Sequence, residues 1–345
     1  MSEEVLFQQN GASGVITLNR PDALNALTLN MVRLMLPQLQ IWAADDSIEN
    51  VVIEGAGDKG FCAGGDIRAL HDWGKAGAAE ATLFYREEYV LNRLIKTYPK
   101  PYVALIDGIT MGGGVGVSVH GAFRVATQAT VFAMPETGIG LLPDVGGTYF
   151  LPRLPGEIGT YMVMTGARLK AADTLHAGIA THYIPAEHLA AVKQKLAAGG
   201  DVAATLDSFH EAAGEAGLQA LQADIDRLFS GDSVVAILDA LQADGSDWGL
   251  KQLAIIDTKS PTSTAVALRQ MRDGAKADFD GCMQIELRAV TRLMHLPDFY
   301  EGVRAIIIEK DNQPKWSPAR HQDVTAAEIE AIFASLGDDD LQFNL

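Results

Sequence analysis

The segment Met134-Pro135-Glu136-Thr137-Gly138-Ile139-Gly140-Leu141-Leu142-Pro143-Asp144-Val145-Gly146-Gly147 sets two carboxylates, Glu136 and Asp144, among glycine, proline and aliphatic residues. It contains no basic residue. A carboxylate needs solvent or a cation, and this stretch offers no cation locally. Two loop acids facing water would satisfy the pattern. So would a site where burial and mutual repulsion raise pKa values for acid/base or nucleophilic work. The flanking segments favour the second reading.

Upstream, residues 123–126 and 130–133 read as short strands leading into the segment. Residues 102–109 (YVALIDGI) are expected as one buried strand. It enters Gly112-Gly113-Gly114-Val115-Gly116 and a small-residue helix to about His120. Residues 51–55 are another buried strand, followed by GFCAGGDIR at residues 60–68, a loop opening a helix. Residues 5–18 read as a hairpin turning over residues 10–14. Thr28 is the expected N-cap of a helix to about Trp42, with Pro37 a point for a kink or break. Residues 84–97 are a second amphipathic helix, ended by Pro99 and Pro101. Strand, glycine turn and helix in alternation predict an α/β fold with its working loops at the carboxyl ends of the strands. Beyond Tyr149 the pattern is mostly helical. The expected division is a core over residues 1–190 and a mainly helical region over residues 191–345. Residues 189–242 read as a surface helical insertion, and the acidic residues 337–340 as a solvated, frayed end.

Two glycine clusters, Ala63-Gly64-Gly65-Asp66 and Gly112-Gly113-Gly114, each follow a strand and open a helix. Glycine permits close backbone approach, and helix starts leave N–H groups unpaired. Two such groups converging on one point would make an oxyanion hole. Tight turns serving helix packing would use the same residues. Residues 55–60 match G-x-G-x-x-G without an immediate helix, and no Walker-type loop or G-x-S-x-G elbow occurs. His120 reads as a packing residue, and no spacing suggests a metal site. Of Glu87 and Glu88, about 100° apart on a helix, one can face inward and the other water. The pattern does not choose between them.

Composition limits the function classes. The chain has 345 residues, 48% of them hydrophobic, and a formal net charge of −17, which opposes nucleic acid and anionic membrane as partners. The two cysteines, Cys62 and Cys282, suit packing rather than a disulfide framework or zinc site. No apolar run is long enough to cross a bilayer. The short acidic start lacks a basic leader, so the default expectation is a cytoplasmic protein.

As a set, LNRPDALNAL (residues 18–27), FCAGGDI (61–67), GITMGGGVG (108–116) and PETGIGLLPDVGGT (135–148) resemble the crotonase (enoyl-CoA hydratase/isomerase) superfamily. The resemblance implies a crotonase-like fold of repeated ββα units with a helical C-terminal region, binding acyl-CoA. The backbone N–H groups of Gly65 and Gly113 would hold the thioester carbonyl. Glu136 matches the second of the two hydratase glutamates, whereas the first falls on Gly116, which has no side chain. Asp144 stands where hydratases usually have a small residue. That departure looks like the 3-hydroxyisobutyryl-CoA hydrolase branch. So do FYREEY (84–89), SVHGAFRVA (118–126), YFLPRL (149–154), KSPTS (259–263), DFYEGVRA (298–305) and PKWSP (314–318).

By the same resemblance Glu136 attacks the carbonyl or activates water, and Asp144 positions water or the leaving-group proton. Glu88 rather than Glu87 binds the substrate hydroxyl. Gly64, Asp66 and Ile67 line the CoA channel, with Arg68 a candidate for the phosphates. No cofactor or metal is implied, since CoA is part of the substrate. A homo-oligomer, trimer or hexamer, and a place in valine catabolism are implied on the same ground. A hydratase or a dienoyl-CoA isomerase of the same fold is the nearest alternative, and a silent CoA-binding scaffold a further one.

Overall fold

In the computed structural model, which describes residues 3–343, the stretch 102–109 is two strands rather than one. It breaks at Asp107-Gly108, where Gly108 takes φ +94°. A Cβ there would lie 2.8 Å from the Lys59 carbonyl oxygen, so only glycine fits the turn. The two pieces enter different sheets, and this break is the key to the architecture.

The strands are β1 (Val5–Asn10), β2 (Ser13–Leu18), β3 (Asn50–Gly55), β4 (Gly60–Cys62), β5 (Tyr102–Ile106), β6 (Ile109–Met111), β7 (Phe123–Ala126), β8 (Val131–Ala133), β9 (Leu169–Lys170) and β10 (His182–Tyr183). One sheet has the order β1-β2-β3-β5-β7-β10, and the other β4-β6-β8-β9. All pairings are parallel except β1 with β2 and β8 with β9. Three times a strand of the long sheet is followed by a strand of the short sheet and then by a helical turn. β3 and β4 lead to Ile67–Ala76, β5 and β6 to Gly113–Gly116, and β7 and β8 to the 3-10 turn Glu136–Ile139. Gly65, Gly113 and Glu136 stand at equivalent places, each two or three residues past the end of a short strand. These are the repeated ββα units expected of the fold.

The chain forms two compact units, and neither is one continuous segment. One comprises Met1–Asp66, Glu87–Ala133 and Arg168–Gln219, the other Ile67–Arg86, Met134–Ala167 and Ala220–Leu345. The sequence reading places a boundary near residue 190 instead.

The first unit holds both sheets. Val52, Val103, Leu105 and Val125 of the long sheet pack against Ile184, Val192, Leu196, Val202 and Leu206. Each such buried side chain contributes roughly 1.5–3 kcal/mol. Residues 189–206 therefore cover the sheet and are not a surface insertion. Their small, Ala-rich polar face resembles an exposed helix, and only the partner sheet reveals the buried side. The hairpin forms with a tighter turn, at Gly11-Ala12. The Leu29–Ala44 helix starts as expected, with the Thr28 hydroxyl accepting from the Met31 N–H, and runs through Pro37 unbroken.

The second unit is helical. Pro261–Gly274 begins with Ser260 as N-cap and Pro261 in its first turn, and Phe279–Leu293 with Asp278 as N-cap. The acidic end is not frayed. Arg288 donates to both Asp340 carboxylate oxygens at 2.7 Å, Gln284 donates to the Leu341 carbonyl at 3.0 Å, and Leu341 is buried. Both cysteines are buried.

Gly114 gives a direct test of how tightly the first unit closes. A Cβ on it would stand 2.3 Å from the Cys62 carbonyl oxygen. Gly114→Ala is expected to cost about 2–3 kcal/mol in urea unfolding. Gly217→Ala, whose Cβ would meet only Asp173 Oδ1 at 3.7 Å, is expected within about 0.5 kcal/mol of the parent. Equal effects would show that the packing at Gly114 is looser than described.

Candidate active site

The LNRPDALNAL motif shapes the first glycine cluster. Leu24 and Asn25 both take positive φ, at 50° and 57°. The Asn25 side chain accepts from the Arg20 N–H and donates to the Ala56 and Gly60 carbonyls, all at 2.9 Å. Leu27 is thereby presented to the glycines. Its N–H donates to the Gly64 carbonyl and its own carbonyl accepts from the Asp66 N–H, both at 2.8 Å. This parallel bridge turns the Gly65 N–H away from Leu27, and that N–H has no acceptor among the described residues. The Gly113 N–H, in the first position of its helix, likewise has none.

The bare Cα of Gly113 is the meeting point. A Cβ built there would lie 2.7 Å from Glu88 Oε1, 3.0 Å from Leu27 Cδ1 and 3.3 Å from the Gly65 nitrogen. A Cβ on Gly64, where φ is +121°, would come within 4.0 Å of the Gly113 nitrogen. The unit therefore gathers two unpaired N–H groups and a carboxylate around one small space. Glu88 is buried at 1% exposure, whereas its neighbour Glu87 pairs with Arg33 at the surface through two 2.7 Å bonds. The structure makes the choice that helical periodicity left open. One turn on, Asn92 is fully buried with neither amide atom hydrogen-bonded among the described residues, a residue the sequence reading missed.

Asp66 is bound to Arg20 at 3.1 Å, and Arg20 also donates to the Ala26 carbonyl at 2.6 Å. Its carboxylate thus braces the motif. In the second unit Ile67 opens its helix half-buried, and exposed Arg68 reaches the Ile307 carbonyl at 3.5 Å.

Glu136 and Asp144 both belong to the second unit and both are 7% exposed. Burial first, and then the charge of Asp144, hold the Glu136 carboxyl well above the ordinary 4.5. Its Oε2 has no hydrogen-bond partner among the described residues. The C-terminal signature segments converge on this turn. The Ser260 N–H donates to the Thr137 carbonyl at 3.0 Å, and the Ser260 hydroxyl to Asp298 Oδ2 at 2.6 Å. The Ser317 N–H meets Asp298 Oδ1 at 2.8 Å. Cβ atoms on Gly140 and Gly302 would strike the Asp298 carbonyl oxygen at 2.3 Å and the Ile139 carbonyl carbon at 2.5 Å. KSPTS, DFYEGVRA and PKWSP therefore brace the Glu136 turn.

The Asp144 loop is strained. Val145, a β-branched residue, takes φ +51°, followed by Gly146 at +86°, and a left-handed L-residue costs roughly 1–2 kcal/mol. Two helices hold the loop. Gln270 donates to the Pro143 carbonyl at 3.1 Å and to the Thr148 hydroxyl at 2.8 Å. Glu286 accepts from the Gly146 and Thr148 N–H groups, each at 2.8 Å. Both lie more than a hundred residues from the loop, inside ordinary amphipathic patterns, and no local signal marks them. Among the described residues, no group of three or more His, Cys, Asp or Glu is placed to hold a metal ion. No described helix is long and apolar enough to cross a membrane.

Residues 13–333 match the family model described as enoyl-CoA hydratase/isomerase. The chain belongs to that family. Among enoyl-CoA hydratase/isomerase relatives, the 3-hydroxyisobutyryl-CoA hydrolase of Xenopus tropicalis is 51% identical over 98% of this chain and 91% of its own length. The human protein of that name is 47% identical over 99% and 91%. Both are named as mitochondrial, which lends no support to a cytoplasmic location. Two solved structures share the fold closely. A carnitinyl-CoA dehydratase from Mycobacterium thermoresistibile has TM-score 0.95 and 41% identity, over 99% of each chain. An enoyl-CoA hydratase from Rhodobacter sphaeroides has TM-score 0.93 and 38% identity, over 99% of this chain and all of its own.

The Glu136 carboxyl has a stability signature. Its folded pKa is raised, so the stability it contributes is present below the unfolded value of 4.5 and lost as pH rises through the folded value. Glu136→Gln removes that ionisation. The variant is expected to melt roughly 2–4 °C above the parent at pH 8, with the gap shrinking at pH 5. A lower Tm for the variant at pH 8 would contradict the burial described.

Proposed function

We propose that this chain hydrolyses a short 3-hydroxyacyl-CoA thioester, 3-hydroxyisobutyryl-CoA first among them, to the free 3-hydroxy acid and CoA. The observation that carries the reading is the placement of carboxylates around the second glycine turn. The position matching the first hydratase glutamate is Gly116, buried and without a side chain. The carboxylate at this turn comes instead from Glu88, whose Oε1 lies 2.7 Å from where a Gly113 Cβ would stand. Water addition by two glutamates lacks its first acid here, and the group provided instead suits a substrate hydroxyl. The hydrolase relatives, similar over nearly the whole chain, support the same branch.

In this reading the thioester oxygen accepts from the Gly65 and Gly113 N–H groups, and each donor lowers the barrier by about 3 kcal/mol as negative charge develops. Glu88 accepts the 3-hydroxyl of the acyl group. Glu136 acts as a carboxylate. It either attacks the carbonyl carbon, giving a mixed anhydride that water then opens, or removes a proton from an attacking water. The C–S bond breaks, the thiolate leaves, and the proton made available reaches sulfur. Asp144 positions the water or that proton. Gly64, Asp66 and Ile67 flank the CoA arm and Arg68 its phosphates. No cofactor takes part, because CoA arrives within the substrate. Family likeness alone supports a homo-oligomer and a step in valine breakdown, and a single-chain mass by light scattering would remove the former.

The test is thiol release from 3-hydroxyisobutyryl-CoA measured beside loss of crotonyl-CoA absorbance. Thiol release is expected, falling about 10²–10⁴-fold in Glu136→Gln and in Asp144→Asn. Absorbance loss without thiol would show a hydratase instead. The rate should fall as pH drops through the raised Glu136 value, because the protonated acid neither attacks nor accepts a proton. A profile flat to pH 5 would remove Glu136 from that role. Glu88→Gln is expected to cut the preference for the hydroxyacyl over the unsubstituted acyl thioester about 10-fold or more.

A further inference from the structure

The turn that carries Asp144 is an unusual object. Val145 and Gly146 are consecutive left-handed residues. This turn leaves the Gly146 and Thr148 N–H groups needing an acceptor from elsewhere in the chain. That acceptor is Glu286, with Gly146 N–H on Oε2 and Thr148 N–H on Oε1, both at 2.8 Å. Glu286 is itself fully buried on the Phe279–Leu293 helix. Burial first, and the nearby Asp144 second, push its carboxyl up to about 8 against the pull of the two N–H donors. An acceptor without an ionisable proton would avoid placing a further buried acid near Asp144. A carboxyl group supplies what an amide with one oxygen cannot: two oxygens meeting two N–H groups two residues apart.

We propose that Glu286 is a positioning residue, whose carboxyl group accepts from the Gly146 and Thr148 N–H groups and so holds the strained turn that sets the Asp144 side chain for turnover. The assignment rests on the reading of Asp144 as a participant in thioester hydrolysis. Strained backbone persists where its surroundings over-determine it. Here the over-determining contacts are Glu286 on the N–H side and Gln270 on the Pro143 carbonyl and Thr148 hydroxyl. Without Glu286, two buried N–H groups lose their acceptor and Val145 has reason to return to negative φ, carrying Asp144 with it. Glycine at position 145 has no such preference and would keep the turn with less help.

The experiment uses the full chain and thiol release from 3-hydroxyisobutyryl-CoA, with Tm recorded for each variant. Glu286→Gln is expected to lower kcat about 10²-fold with KM within about 3-fold, because a misplaced reacting group costs turnover rather than uniform binding. Adding Val145→Gly is expected to return at least about 10-fold of that loss. In an Asp144→Asn background, Glu286→Gln is expected to cost less than about 2-fold further, since it acts through a group already removed. A kcat within 3-fold of the parent in Glu286→Gln, or an undiminished effect in the Asp144→Asn background, would overturn the assignment. Should Glu286→Gln not fold, the double variant with Val145→Gly decides. Restored folding with restored turnover supports the assignment, and no restoration overturns it. Full activity in Asp144→Asn alone would instead show that the reading of Asp144 has failed, and this inference with it.

Discussion

A carboxylate taken out of water must be met by donors, or it must give up its charge. Three of the four buried acids described in the second unit differ in how far donors meet them. Asp298 is capped by the Ser260 hydroxyl and the Ser317 N–H, and Glu286 by the Gly146 and Thr148 N–H groups. Both tie distant segments together. Glu136 keeps one oxygen with no hydrogen bond among the described residues, and its carboxyl is held far above the usual range. The two satisfied acids brace the loops on either side of the unsatisfied one. Stability is arranged around Glu136 and withheld from it, as expected where an acid must react rather than hold.

The first unit solves a matching problem with backbone. Each ββα repeat ends a short strand on a turn, and there the chain has N–H groups to spare. Gly65 keeps its N–H unpaired because Leu27 uses the flanking groups at Gly64 and Asp66. Gly113 keeps its own because it opens a helix, and its missing side chain leaves the space that Glu88 reaches. Repetition of one device places donors on two successive turns.

Much of this was legible in the chain, for reasons that differ by residue. Gly64 and Gly113 carry a signal because positive φ and close approach admit little else, and the Glu136–Asp144 stretch because acids without cations stand out locally. Glu88 was reached through family likeness, since helix periodicity allows either neighbour. The break at Asp107-Gly108 carries a turn dipeptide, but the aliphatic residues on both sides let the stretch be read as one strand. Residues 189–206 looked exposed because their buried side faces strands far away in sequence, and the acidic end looked frayed because Arg288 lies fifty residues from Asp340. Gln270 and Glu286 left no trace, because what defines them is the strained backbone they serve, and a φ angle at Val145 is not written in its side chain.

The buried cysteines have a consequence for a chain proposed to liberate thiols. Only a thiolate attacks a disulfide. Burial is the largest cause pushing both Cys62 and Cys282 up to about 12, with the Glu88 and Glu286 charges adding to it in turn. Each thiol therefore stays protonated while a CoA molecule leaves, and neither is drawn into mixed disulfides with that product or with its oxidised form. The folded chain is a silent background for a thiol-reactive dye, so colour in such an assay counts product alone until the protein unfolds.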